Sequence, residues 1–409
     1  MRNTLKAATL ESKFPLLAVE ADCIISKDAD ITAVFEVELP ELFTVTAAEY
    51  EAIHAAWAKA IKVLPNYTVV HKQDWFIRED YRSQTDKENL SFLSRSYEMH
   101  FNERPFLNHK CYLYLTKTTK ERMRMQSSFS SLCRGFIIPK EVDKDTTAHF
   151  LDTVGQFARI VNDTGLVHLR RLVGDEITGT EDKAGLVEKY FCLSMENTTA
   201  LEDIELGDDG LRVGDKHVSV HTLSELDALP NKVGTDCRYE RLSTDKSDCK
   251  LSFASPVGLL LSCNHLYNQY IFLDDSGENL QRFEKSARNM QSLSKYSRSN
   301  QINKEWIDLY LNDAHSFGLT SVRAHCNVIA WTDNPMEVKN MRNDVGSQIA
   351  MMECKHAIIR WTPPRCTGRQ CRETALTSRQ RRASIRSSNR PSASGWKKRT
   401  TAAPFHLSD

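Results

Sequence analysis

The feature that most constrains this chain is how its charge is divided. The last 55 residues, Lys355–Asp409, carry 13 Lys and Arg against two acids, Glu373 and Asp409. The first 354 residues therefore hold 41 basic and 52 acidic residues, and formal neutrality conceals an acidic body joined to a basic tail. The tail text, for example SRQRRASIRSSNRPSASGWKKR (Ser378–Arg399), offers little to bury. Any core must be built by the first 354 residues; at 409 residues the chain is long enough for two or three domains. The reading taken from the sequence is an N-terminal region at 1–200, a second region at 201–354 and a disordered basic tail at 355–409.

The 11 cysteines are odd in number and form no CxxC pair, which argues against a disulfide framework or a structural zinc site and for reduced thiols in the cytosol. MRNTLKAATLESKFPLLAVEAD at the start lacks the apolar run of a secretory signal. Val257–Cys263 is among the longest apolar runs, far short of the roughly 20 residues of a membrane span.

Patterning predicts interleaved strands and helices, a mixed α/β (α+β) class. VFEVEL (Val34–Leu39), TVVHKQDWFI (Thr68–Ile77) and KCYLYLT (Lys110–Thr116) read as strands. Thr46 and Glu49 form a capping box for a helix carrying Ile53, Trp57, Ile61 and Leu64, closed by Pro65-Asn66. Further helices are predicted over Leu90–Phe101, His149–Val161 and Leu186–Leu193. Leu201–Asp248, with GDDGLRVGD, reads as a hairpin region or insertion rather than core. VGLLLSC (Val257–Cys263) and QYIFLDD (Gln269–Asp275) read as buried strands. Leu280, Phe283, Ala287, Met290 and Leu293 on one helix and Ile302, Trp306, Leu309 and Tyr310 on the next predict a helix hairpin stopped by Gly318. Val322 to Ala330 alternates as a strand, and Asn334, Pro335 and Glu337 predict the cap of a last helix with Val338, Met341, Val345, Ile349 and Met352 inward. No repeat of solenoid spacing is present.

No GxxxxGK[ST] or GxGxxG loop is present to supply amides for phosphates. The nearby pairs His109 with Cys111, Cys263 with His265, and His325 with Cys326 fall short of a metal set and read as core or surface residues. Asp274, Asp275 and Glu278 lack calcium-loop spacing and are expected to cap the helix after them. WFIREDYR (Trp75–Arg82) mixes rings and charges; Trp75, Arg78 and Tyr81 are the candidate interaction residues, against a plainer reading as a strand end with its rings in the core. KTTKERMR (Lys117–Arg124) is a basic cluster that reads by default as a solvated helix face, with a contact to phosphate or an acidic partner as the alternative.

Longer stretches carry a resemblance. QDWFIREDYR (Gln73–Arg82), SFLSRSYEMHFNERPFLNHKCYLYLTKTTKERMRMQ (Ser91–Gln126), NLQRFEKSARNMQSLSKYSRSNQINKEWIDLYLNDAHS (Asn279–Ser316) and CNVIAWTDNPMEVKNMRNDVGSQIAMMECK (Cys326–Lys355) resemble the N-terminal half of the TraG family of conjugative-transposon ATPases, relatives of the CagE/TrbE/VirB motors of type IV secretion. The resemblance covers essentially residues 1–355. It implies an α/β region preceding a RecA-like P-loop motor that, in full-length proteins, uses ATP and Mg to power channel or pilus assembly and DNA transfer. It also implies a cytoplasmic location, peripheral on the inner face of the membrane. Channel subunits are the implied partners, along with self-association of the full-length protein and no direct nucleic-acid contact by the body. No position here matches the motor's motifs, so the chain is expected to lack the motor and any cofactor of its own and to be inactive alone.

After Lys355 the family would continue towards a segment like TVDTPTLYWA. WTPPRCTGR (Trp361–Arg369), read one frame over under permitted codons, yields Val-Asp-Thr-Pro-Thr-Leu-Tyr-Trp-Ala, and Leu376–Ser392 likewise yields DFPAEESFYTFIEQAV. The expectation is a nucleotide lost near the codon for His356, with the tail as out-of-frame text. The competing readings are a non-catalytic DNA-binding accessory whose basic tail tracks phosphates, and a thiol enzyme using Cys111 or Cys263.

Overall fold

β3 (Ile31–Glu38) turns the alternation of ITAVFEVE into a strand with Ala33, Phe35 and Val37 on one face and Val34 on the other, all buried. The computed structural model describes residues 16–27, 29–41, 44–81, 91–102, 104–120, 144–197, 202–207, 210–223, 253–294 and 296–358. Two hairpin strands, β1 (Leu16–Glu20) and β2 (Cys23–Ser26), precede β3. After it come α1 (Ala47–Val63), β4 (Thr68–Asp80), α2 (Phe92–Asn102), β5 (Pro105–Lys117), α3 (Lys144–Asn162) and β6 (His168–Arg171). α4 (Gly174–Thr178) and α5 (Leu186–Cys192) then cross to a second series. That series begins with β7 (Ile204–Gly207), β8 (Gly210–Val213), β9 (Lys216–Thr222), α6 (Ser255–Leu260) and β10 (Asn264–Leu273). It ends with α7 (Ser276–Leu293), α8 (Arg298–Phe317), β11 (Arg323–Thr332), α9 (Val338–Met351) and β12 (Ala357–Ile358).

The twelve strands of the described residues join one sheet, ordered β1-β2-β3-β5-β4-β10-β11-β9-β8-β7, with β6 on β3 and β12 on β9. The order contains the same unit twice. β3-α1-β4-β5-α3-β6 pairs antiparallel as β6-β3-β5-β4, which is the split βαβ arrangement. β9-α6-β10-β11-α9-β12 repeats it as β12-β9-β11-β10. Each unit is preceded by a two-strand hairpin. In each, the first strand shares its outer edge between that hairpin and the last strand of the unit. The units meet where their second strands, β4 and β10, pair through nine residues each, from His265↔Phe76 to Leu273↔Thr68. One sheet thus runs through both units.

The cores follow from this duplication. On one face, α1 and α3 lay Ala60, Ile61, Phe150, Val154 and Phe157 over Phe35, Leu113 and Leu115. On the same face of the second unit, Val257 and Leu261 join Met341, Val345 and Ile349 over Val328 and Ala330. The opposite face has one core across both units: Val34, Tyr112, Trp75, Leu266, Trp331 and Val218 under Ile177 and Leu186. α1 starts as expected, with Thr46 Oγ1 accepting the Glu49 N–H and the Glu49 carboxylate accepting the Thr46 N–H.

Four expectations need correction. Val257–Cys263 is not a strand: Ser255–Leu260 is a helix with Pro256 in its first turn, burying Val257 and leaving Leu259 39% exposed. A short apolar run has no period that separates the two states, and the proline decides it. Part of the region read as an insertion, β9, is a full sheet strand with Val218, Ser219 and His221 buried. The last helix begins at Val338 without a side-chain cap, because Asn334 Oδ1 accepts the Met336 N–H within a preceding turn. On α8 the packed face is Ile307, Tyr310 and Ala314, so Ile302, Trp306 and Leu309 point outward instead of into the hairpin. The sequence beyond Ile358 lies outside the described residues, as do Glu121–Arg124 of the basic cluster.

Trp75 is fully buried, its Nε1–H donating to Gln73 Oε1 and its ring edge-on to Trp331. Trp75→Ala is expected to lower unfolding free energy by about 3–5 kcal/mol, read as a shift of the urea midpoint with little change in slope.

Candidate functional site

The β4–β10 junction is polar on both faces. On the face shared with α1, α3, α6 and α9, alternate residues of β4 bring Lys72 and Asp74 together, with Lys72 Nζ 2.5 Å from both carboxylate oxygens. His109, on β5, places Nε2 3.0 Å from Asp74 Oδ1. Phe76 stacks between the His109 and His265 rings at 4.6 and 4.5 Å. The Asp74 side chain is 5% exposed and that of Lys72 27%. Burial works against the Asp74 carboxylate, but Lys72 and His109 outweigh it and hold the group well below the usual range. Burial likewise opposes the Lys72 charge, and Asp74 more than restores it.

On the other face, Gln73 Nε2 donates to Asn268 Oδ1 at 2.9 Å, and Asn268 Nδ2 donates to Asn327 Oδ1 at 2.9 Å. His71 is stacked between Tyr114 at 4.9 Å and Tyr270 at 4.2 Å. Its Nε2 lies 3.0 Å from Asn268 Oδ1, which fits a donated N–H. Burial lowers the His71 pKa to about 4, against the raising effects of Asn268 and Asp74. His221 is also lowered to about 4, by burial first and then by His356 and Arg342.

These groups do not form a nucleophilic or metal site. Burial pushes the Cys111 thiol far up despite Lys72, and the Cys263 thiol up to about 11, so both stay protonated near neutral pH. His325 and Cys326 are neighbours in one strand and face opposite sides of the sheet. Among the described residues no group of three or more His, Cys, Asp or Glu is placed to hold a metal ion. Asp275 caps α7 by accepting the Glu278 N–H at 3.0 Å, Asp274 pairs with Arg323, and Glu278 pairs with Lys120. A cavity of about 260 Å³ lies near Tyr67, Lys117, Lys120, Thr146 and Thr147, but the Lys117 ammonium donates to the Asn66 carbonyl and Lys120 is paired.

What remains open is surface. β4 carries the candidates Trp75, Arg78 and Tyr81 from core to periphery. Trp75 belongs to the core. Arg78 is exposed, and its backbone N–H donates to Asn264 Oδ1 at 2.6 Å. Tyr81 donates to Glu98 at 3.1 Å and meets Phe101 edge-on, fastening α2 to the end of β4. α2 then leaves Phe92 82%, Leu93 78%, Tyr97 63% and Met99 65% exposed. In the second unit, α7 and α8 occupy the equivalent place between the second and third strands, and α8 exposes Ile302, Trp306, Leu309 and Phe317. Sequence reading missed the α2 surface because a helix of mixed apolar and polar residues gives no sign of having too little to pack against. Among the described residues no helix is long and apolar enough to cross a membrane.

The start of the chain has known relatives. Residues 3–55 match a family described as a domain of unknown function, B. Theta Gene description (DUF3875), a span that runs through β1, β2 and β3 into α1. No curated protein matches the chain.

Two pH effects follow from the junction and its neighbours. Unfolded imidazoles protonate near 6.5, whereas His71 and His221 stay neutral in the fold down to about 4. The unfolded chain therefore takes protons first, and stability declines as pH falls from about 6.5 to 4. Asp74 extends the loss below about 4, because its folded carboxyl remains ionised where the unfolded one protonates. Urea midpoints measured at pH 7, 5.5 and 4.5 should fall in that order, and His71→Gln should flatten the slope. Asp74→Asn, which strands Lys72, is expected to cost about 2–4 kcal/mol at pH 7.

Proposed function

We propose that this chain is the motor-less N-terminal part of a conjugative-transfer ATPase of the TraG type, acting as a docking and assembly body rather than as a catalyst. What carries the reading is the resemblance of the extended text over Gln73–Arg82, Ser91–Gln126, Asn279–Ser316 and Cys326–Lys355 to that family. Two features support it. The sequence holds no phosphate-binding loop. α2 and α8 also present apolar side chains at matching places in the two units, as surfaces that bind protein partners do. On this reading the partners are channel subunits at the inner face of the membrane and other copies of the protein. The nucleotide-using engine is encoded beyond Lys355 in the adjacent frame.

The test has two arms. Purified chain is expected to neither bind nor hydrolyse ATP, and turnover by this polypeptide would falsify the proposal. The coding DNA, read one frame over after Lys355, is expected to reveal a GxxxxGK[ST] loop; a gene without one sinks the frame-loss account. The DNA-binding alternative makes its own demand: deleting residues 356–409 would have to abolish a steeply salt-dependent affinity for duplex DNA. Under the proposal that deletion changes nothing.

A further inference from the structure

α8 is apolar over more of its circumference than one neighbour can cover. Its packed side, Ile307, Tyr310 and Ala314, closes on Phe283, Ala287 and Met290 of α7. A second stripe, Ile302, Trp306, Leu309 and Phe317, follows helical spacing along the adjoining flank, roughly a quarter turn from the packed side, and is 45, 43, 63 and 68% exposed. It runs almost the length of the 20-residue helix. One polar residue interrupts it, Asp313, seven positions after Trp306 and so nearly in line with it. Neither the Asp313 carboxylate nor the Trp306 indole N–H has a partner among the described residues.

The order of side chains is self-complementary. When two such helices are laid antiparallel with a two-fold axis between positions 309 and 310, Ile302 of one copy meets Phe317 of the other and the two Leu309 side chains lie side by side across the axis, offset by about one residue rise. Trp306 then comes opposite Asp313, a donor without a partner facing an acceptor without one. We infer that α8 is a homodimer interface, in which the α7–α8 hairpins of two copies of this chain close into an antiparallel four-helix bundle.

Size and charge fit this occupant. With an aromatic side chain offering about 150–250 Å², the four stripe residues expose roughly 400 Å² of apolar surface per copy, or about 800 Å² for the pair. That is the apolar share expected of an interface of about 1,200–2,000 Å² in total. The exposed charges of the hairpin are partly neutralised within it, as in Lys304–Asp308 and Arg288–Glu284, so two copies meet without strong like-charge repulsion. The pairing names one partner for the docking role proposed above. It rests on that reading only for its biological meaning, since its test reads mass and does not depend on the family.

The test uses the whole chain in sedimentation velocity over a concentration series. The mass is expected to approach twice that of the monomer. Leu309→Glu or Trp306→Glu should return it to the monomer, with the circular dichroism unchanged because both side chains are exposed. A Leu309→Cys chain should form an oxidised dimer, cross-linked through position 309 of each copy, beyond the background of the unaltered chain. A monomer up to roughly 100 μM, a dimer indifferent to both glutamate substitutions, or a Leu309→Cys chain that forms no more oxidised dimer than the unaltered chain would each overturn the pairing. ATP turnover would defeat the proposed function and leave this result standing.

Discussion

Everything in this molecule depends on β4 lying against β10. Nine opposed residues on each strand join two βαββαβ units, each with its own helix pair, into a single sheet. The junction is fixed by hydrogen bonds and charge as well as by apolar contact. Gln73, Asn268 and Asn327 are linked in a row on one face, and Lys72, Asp74 and His109 occupy the other. A one-residue slip would carry every one of these groups to the wrong side of the sheet. Buried polar groups that bond in only one alignment act as a register pin where apolar residues alone would tolerate sliding. The large core on the face beneath α4 and α5 relies on that alignment, because Trp75 and Leu266 come from the junction while Val34 and Trp331 come from separate units.

Much of the local structure was legible. The capping box at Thr46 and Glu49, the strands around Trp75 and Tyr112, the helix hairpin and the stop at Gly318 all rest on short-range signals. The duplication was not legible, since it lies in topology and pairing order rather than in matching residues. Its second copy is interrupted by a two-helix insertion where the first has α2. The failure at Val257–Cys263 came from a run too short to show a period. The failure at α8 was different in kind. Ile302, Trp306, Leu309 and Tyr310 read together as the face of the hairpin, but apolar spacing does not state what covers it, and α7 packs on the flank of Ile307, Tyr310 and Ala314, so only Tyr310 of the four is covered.

The candidate residues divide along the same lines. Trp75, Arg78 and Tyr81 sit on one strand yet have three different surroundings: the interior, the solvent and the root of α2. A mixture of rings and charges in sequence marked the strand as unusual without saying which of its residues reaches a surface. The alternation of β4 puts Trp75 under α4 and α5. Its length carries Tyr81 past the core to where a helix can be moored.

The duplication also fixes where the two apolar projections lie. β4 and β10 run in opposite directions, so insertions at equivalent points emerge from opposite ends of the sheet. α2 follows the far end of β4, and the α7–α8 hairpin follows the end of β10 that lies beside Thr68. The 13 residues of β4 separate them by about 40 Å. The two apolar projections are therefore held apart by the full length of a sheet strand rather than side by side.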